Sequence, residues 1–329
     1  MNDRRTLLLA LGAAVLLAAR SPAWSQTGAK IRRVGLLSIG SSLAAGRLFE
    51  AFKSGMQDFG WREGRDVEYL ARYADGKVER LDALARELVE QNVEVLVVGA
   101  PQVARAAQKA TVTIPIVMTN VSNAVENKFV ASLARPGGNI TGVTSQLEAV
   151  LAKLIEIFHE AVPGARRIAI LMNESNPSHR AFWAGAQSAC AVLKLVPVRV
   201  VASAPDQLAG AIAQIVKEKA QAIVVVADGM YLSERAKLEE LVAATKLPAA
   251  YALRDHVVTG GLLSYAADLA RNYKYSATFA DKILKGAKPA DLPVEQPTKF
   301  DLVINLKIAK ALGIKIPQAV LLRADEVIE

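Results

Sequence analysis

One cysteine, Cys190, and three histidines, His159, His179 and His256, are all that 329 residues supply of the side chains that most often bind metals or attack substrates. A single thiol forms no internal disulfide in any compartment, and Cys190, set in a helical pattern of small apolar residues, reads as a buried hydrophobe. The histidines stand too far apart for a zinc site and are expected at the surface or at helix ends, with His179 and His256 within reach of a cleft. Phosphate-cradling glycine patterns are also missing. The first apolar run, "VGLLSIGSSLAAG" from residue 34, holds no Gly-x-Gly-x-x-Gly, and no Gly-x4-Gly-Lys-Ser/Thr follows elsewhere. Gly-x-Ser-x-Gly, the hydrolase elbow, is absent too. Neither cofactor nor metal is therefore expected. Aromatics are only 5% of the chain and no basic block interleaves with them, which argues against nucleic-acid binding.

Long apolar stretches are scarce as well. The longest runs from residue 7 to 19, preceded by Arg4-Arg5 and followed by Pro22 and Ala23-Trp24-Ser25. A charged start, a short apolar centre and a small-residue cut site make residues 1–25 a signal peptide, suited to the twin-arginine or the general secretory route. No cysteine lies near the cut to take a lipid, so a periplasmic protein that is neither a lipoprotein nor membrane-spanning is expected. Losing Arg4, Arg5, Arg20 and Asp3 with the leader takes the formal charge from +8 to +6. With 52% hydrophobic residues the remainder has ample material for more than one globular unit.

What is abundant is a repeated pattern. Arg32-Arg33 leads into "VGLLSIG" and a helical stretch over 43–59; Arg166-Arg167 leads into "IAILMNE" and another helix. "VEVLVVGAP" at 93–101 parallels "AQAIVVVADG" at 220–229, and Ile114-Pro115 opens "IVMTN" as Leu247-Pro248 opens "AAYAL". Helices are predicted over 79–91, with Leu81, Leu84, Leu88 and Val89 on one stripe, and over 206–219, with Leu208, Ile212, Ile215 and Val216. Ser203 to Asp206 has the spacing of a capping box. Continuous Val/Ile/Leu strands alternating with helices indicate two α/β lobes, each a parallel sheet covered on both faces. Pro136-Gly137-Gly138-Asn139 is expected to end a helix, with 140–143 a connecting strand. Gly260-Gly261 marks a second candidate crossing where rotation between lobes would be cheap, though both sites also read as ordinary turns.

"ASLARPGGNITGV" at 131–143, "GGLLSY" before Ala-Ala-Asp268, and the long run "DKILKGAKPADLPVEQPTKFDLVINLKIAKALGIKIPQAVLLRADEVIE" resemble the substrate-binding protein family of bacterial ABC transporters that includes the tryptophan and tyrosine binding proteins. The resemblance spans roughly residues 31–329. It implies the two-lobed periplasmic-binding fold of the first type, a ligand cleft between the lobes, and an ABC permease and its ATPase as partners. Residues 26–142 are expected to form the first lobe, 143–262 the second and 263–292 a return to the first, with the C-terminal segment 293–329 assigned to the second by the resemblance. A monomer is expected. Two loops depart from the family pattern: Ser122-Asn123-Ala124 stands where many members carry Gly-Asp-Pro, and Asn173-Glu174-Ser175-Asn176-Pro177 replaces Asn-Pro-x-Asn-Pro.

In parallel α/β sheets ligands bind beyond the carboxyl ends of the strands. That rule nominates Ser41, Ser42, Gln102, Asn120, Ser122 and Asn123 from the first lobe and Asn176, Asp228 and Tyr251 from the second, with Ser264 and Tyr265 near a crossing. Hydroxyls and amides dominate, which suits a small polar or zwitterionic solute held by directed hydrogen bonds. An amino acid, aromatic or branched, leads, with Asp228 or Glu174 accepting from an ammonium and Tyr231, Tyr251 and Tyr265 as aromatic walls. Ser41, Ser42 and Asp228 are equally good helix caps, and Trp61 and Trp183 read as structural aromatics. The function expected is that of an extracytoplasmic solute-binding protein that closes about a hinge and delivers its solute to a permease. The alternative is a secreted α/β enzyme, a hydrolase or isomerase, using Asp228 or Glu174 as a base.

Overall fold

The structure, a computed structural model, describes residues 31–329 apart from Gln146; the expected signal peptide lies outside them. The first sheet is built from β1 (Arg32–Ser38), β2 (Val67–Tyr73), β3 (Val95–Val98), β4 (Ile116–Ser122) and β5 (Ile140–Ser145) in the order β2-β1-β3-β4-β5, all parallel. Helices α1 (Ser42–Asp58), α2 (Leu81–Glu90) and α3 (Pro101–Ala110) connect successive strands. Ser41 starts α1 by accepting the Ala44 N–H on its Oγ at 3.3 Å, and the helix buries Leu48, Phe49, Phe52 and Met56 along one stripe.

The second sheet draws on β6 (Arg167–Met172), β7 (Val196–Val201), β8 (Ala222–Val225), β9 (Ala249–Tyr251), β10 (Leu263–Ala266), β11 (Asp301–Asn305) and β12 (Glu326–Ile328), ordered β12-β11-β10-β9-β8-β6-β7. Only the β10–β11 pairing is antiparallel. Helices α4 (Leu147–Ala161), α5 (His179–Val192), α6 (Leu208–Lys217), α7 (Gly229–Ser233), α8 (Arg235–Thr245) and α9 (Arg254–Thr259) accompany it. After β10 the chain enters α10 (Leu269–Leu284), which packs on α1 and β4 of the first lobe. Asp268 caps α10, accepting the Ala270 and Arg271 N–H groups at 2.8 and 3.2 Å. Val294 then donates to the Leu133 carbonyl and Glu295 to that of Gly142, laying this stretch beside β5 before the chain returns to the second sheet at β11 and ends through α11 (Leu306–Ala311) and α12 (Gln318–Leu321).

Three connections thus join the lobes, after Ser145, after Ala266 and before Asp301. The expected boundary at 142/143 falls inside β5, which pairs with β4 along its length; Gly142, at φ +121°, serves a register shift against Met118. The boundary at 262/263 precedes β10, which belongs to the second sheet; Gly260, at φ +145°, ends α9 and is no crossing. Residues 123–139 form turns with no helix, so Pro136 to Asn139 end none; the Asn139 amide instead binds the Ile114 carbonyl at 2.8 Å. Ser203 caps nothing. Its Oγ accepts the Glu174 N–H, and short 3-10 turns at Val78–Arg80 and Pro205–Gln207 precede α2 and α6. On the predicted stripes Leu81, Leu88, Leu208, Ile212 and Ile215 are buried, while Val216 is exposed.

Candidate functional site

The carboxyl ends of β1, β3 and β4 face those of β6, β8 and β9 across the gap between the lobes. A cavity of about 70 Å³ lies there, lined from the first lobe by Ser38, Gly40, Leu48, Asn120 and Ser122 and from the second by Asn176, Asp228, Ser233 and Leu253, with Leu269 and Tyr273 of α10 closing one side. Among the described residues no lysine or arginine lines it.

Asp228 is the hub. It ends the segment after β8 and caps α7, with Oδ1 accepting the Met230 N–H at 2.9 Å and Asn173 Nδ2 at 3.0 Å. Its Oδ2 accepts Asn176 Nδ2 at 2.9 Å and, from the other lobe, Gln102 Nε2 at 3.3 Å. Four donors fill the acceptor directions of a carboxylate whose side chain has no exposed surface, so the charge is held by protein dipoles alone. Behind it sits His179. The Nδ1 of His179 accepts the Asn173 N–H at 2.8 Å, which leaves the hydrogen on Nε2, facing the Ala227 carbonyl at 3.2 Å. Burial holds the imidazole below its usual pKa, against the opposing pull of Asp228. A neutral histidine thus clamps both loops that carry the second lobe's polar groups.

Other contacts cross the cleft. Ser122 donates to Ser178 Oγ at 3.0 Å, and Asn127 reaches the same oxygen at 3.1 Å. The Ser41 N–H meets Ser233 Oγ at 3.3 Å, and Arg47 pairs with Asp255 at 2.5 Å. Glycines allow the approach: a Cβ on Gly229 would overlap Ile39, and one on Gly40 would overlap Ser233 Oγ.

Of the nominated residues, Asn120, Ser122, Asn176 and Asp228 line the cavity, and Gln102 bonds to one of them. Ser41 caps α1 at the edge and Ser42 is exposed. Asn123 takes a left-handed turn at φ +54° just past β4. Tyr251 lies elsewhere. Its ring stacks on His256 with centroids 5.0 Å apart, and its hydroxyl donates to Glu239 at 2.5 Å, within the second lobe. Tyr231 is wholly buried, donating to the Ala202 carbonyl at 2.9 Å, and Tyr265 packs on Phe300. Ser264 is buried in β10 and, like these three tyrosines, does not line the cavity.

Glu174 is exposed and paired with Arg199 at 2.8 Å, which leaves Asp228, among the described residues, as the one carboxylate of the cavity lining. His179 and His256 are buried, not superficial: His179 accepts the Asn173 N–H, and His256 Nδ1 lies 2.9 Å from Glu239, the carboxylate that also takes the Tyr251 hydroxyl. Cys190 is buried, its thiol pushed up to about 11, as an inert hydrophobe requires. Trp61 ties α1 to α10 through a 2.8 Å bond to Asp281. Tyr273, Leu48 and Leu253 are cavity residues that the strand-end rule missed. Their only sequence signal is an apolar position in or just before a helix.

Comparison with known proteins matches residues 34–328 to the family described as ABC transporter substrate binding protein. A tyrosine-binding protein of Clostridioides difficile is 22% identical over 286 residues, 87% of this chain and 82% of that protein. Among solved structures, a conserved domain protein from Vibrio cholerae aligns with a TM-score of 0.85 and 28% identity over 91% of this chain and all of the other. An ABC domain from Streptococcus pneumonia in complex with L-Trp gives 0.84 at 24% identity with the same coverage. The ligand-free, open structure of a substrate binding protein with adhesive properties from Clostridium difficile gives 0.63 at 21%, over 91% and 99% of the two chains. Among the described residues no helix is long and apolar enough to cross a membrane, and no cluster of three His, Cys, Asp or Glu could hold a metal ion.

Proposed function

Because the chain belongs to the ABC transporter substrate binding protein family, we propose that it captures a small zwitterionic solute, an aromatic or branched amino acid, between its lobes outside the cytoplasm and presents it to an ABC permease and its ATPase. The single observation that carries this reading is the interlobe cavity, to which both sheets contribute polar strand ends and α10 contributes an apolar wall. Apolar Leu48, Leu253, Leu269 and Tyr273 suit a hydrophobic side chain; Asn120, Ser122 and Asn176 suit its polar head. A relative named for tyrosine and a solved structure in complex with L-Trp support an aromatic amino acid.

The mechanism is population shift. A solute touching both lobes binds the closed arrangement better than an open one and draws the equilibrium toward it by that difference. Here the lobes already touch through Ser122–Ser178, Ser41–Ser233 and Gln102–Asp228, and the chain matches the L-Trp complex more closely than the ligand-free open relative. These contacts support reading the arrangement as the closed form. The leader expected at residues 1–25 supports export, and the protein acts as a monomer. Thermal-shift measurement with the twenty amino acids, sugars, nucleosides and aromatic acids tests the reading: aromatic or branched amino acids raise the melting temperature. A shift with sugars or nucleosides alone contradicts the solute class.

A further inference from the structure

Gln102 is the second residue of α3, flanked by Pro101 and Val103 of the cavity wall, and is 5% exposed. Its Nε2 donates to Asp228 Oδ2, and its Oε1 is buried with no hydrogen-bond partner. The orientation of the amide follows from chemistry: turned over, it would set a carbonyl oxygen against a carboxylate oxygen, two acceptors with no proton between them. Oε1 is thus held beside Nε2, next to Asp228 of the cavity lining.

The carboxylate and amide oxygens around it are engaged. Asp228 receives four donors, Asn173 Oδ1 receives the N–H and hydroxyl of Ser175, Asn176 Oδ1 the Ser178 N–H, and Asn120 Oδ1 the Asn272 amide. A buried acceptor left unmatched is unfavourable until a donor meets it, and it repels ligand groups that can only accept. We propose that Gln102 is a specificity-determining residue of the cleft, its Oε1 receiving the α-ammonium of the solute while Asp228 stays occupied in holding the two lobes' polar groups together. The proposal rests on the cleft being the solute site, and it assigns the ammonium to a neutral amide where the lone carboxylate would be the obvious choice.

Calorimetric titration of the purified protein with L-tryptophan and L-tyrosine, each beside its des-amino counterpart (indole-3-propionate and 3-(4-hydroxyphenyl)propionate), tests it in wild type and Gln102→Met. Wild type prefers the amine by about 10- to 100-fold. In Gln102→Met the preference falls to within about threefold because the acceptor has gone; the Nε2 bond to Asp228 goes with it, which weakens binding of both compounds alike, so des-amino binding persists and the ratio reports the acceptor. Retained des-amino binding also shows that the variant folds; Gln102→Ala gives the same comparison if the methionine variant does not. A preference that survives in both variants, or a wild type that binds both compounds equally, overturns the inference and leaves the cleft reading standing. A wild type that binds neither contradicts both.

Discussion

Gly229 at the start of α7 and Ile39 beyond β1 meet across the cleft so closely that a single methyl on the glycine would overlap Ile39 Cγ2. Isoleucine is stiff at χ1, so the clash cannot be relieved by swinging one terminal atom aside. Gly229→Ala therefore costs closure about 1–3 kcal/mol, weakening solute binding by about tenfold or more, while a hinge that can open spares the melting temperature of the free protein. Calorimetry and thermal denaturation together check this. Ile39→Ala restores affinity in the double variant; a glycine variant that binds as wild type shows that the two lobes do not come this close in the complex.

Asp228→Ala strips a partner from Asn173, Asn176 and Gln102 at once and uncaps α7. A loss of about 3 kcal/mol in stability is expected, together with weaker solute binding. Urea denaturation with an unchanged midpoint would show that the network contributes nothing to the fold.

His179 makes stability depend on pH. Burial lowers its pKa in the folded protein below the ordinary 6.5, so the unfolded chain binds the proton first as pH falls. Its contribution is whole above about pH 6.5 and is lost toward acid, at up to about 1.4 kcal/mol per pH unit, until the folded-state pKa is reached. Denaturation curves between pH 7.5 and 5 should show this slope, reduced in His179→Gln. An equal slope in the variant would assign the acid sensitivity to other groups.

Tyr251→Phe separates structure from recognition. Removing the hydroxyl leaves Glu239 without its 2.5 Å donor and should lower stability by about 1–3 kcal/mol with solute affinity unchanged. A matching loss of affinity would place Tyr251 in the recognition path.

The contrast between Asp228 and Tyr251 shows how far the amino-acid sequence alone could be read. Both follow buried apolar runs at equivalent places in their βα units, and the strand-end rule selects both. It selects loops, not directions: Asp228, outside its strand, turns back to cap α7 over the gap, whereas Tyr251 is the last residue of β9 and its pleat points it into the lobe. The sheets themselves were legible because doubly covered parallel strands are unbroken Val/Ile/Leu runs. The crossing points were less so: β5 and β10 read as connectors because nothing local shows which sheet a short strand joins, a matter settled by pairing with β4 and β9. The burial of His179 was invisible, since its partners, the Asn173 N–H and the Ala227 carbonyl, are backbone groups with no sequence signature.

Small-angle X-ray scattering of the purified protein, alone and with a saturating solute identified by thermal shift, tests lobe closure most directly. The account predicts a smaller radius of gyration with solute, and a profile that in the complex agrees with the arrangement in which Gln102 reaches Asp228. One unchanging profile with every solute that raises the melting temperature would contradict it.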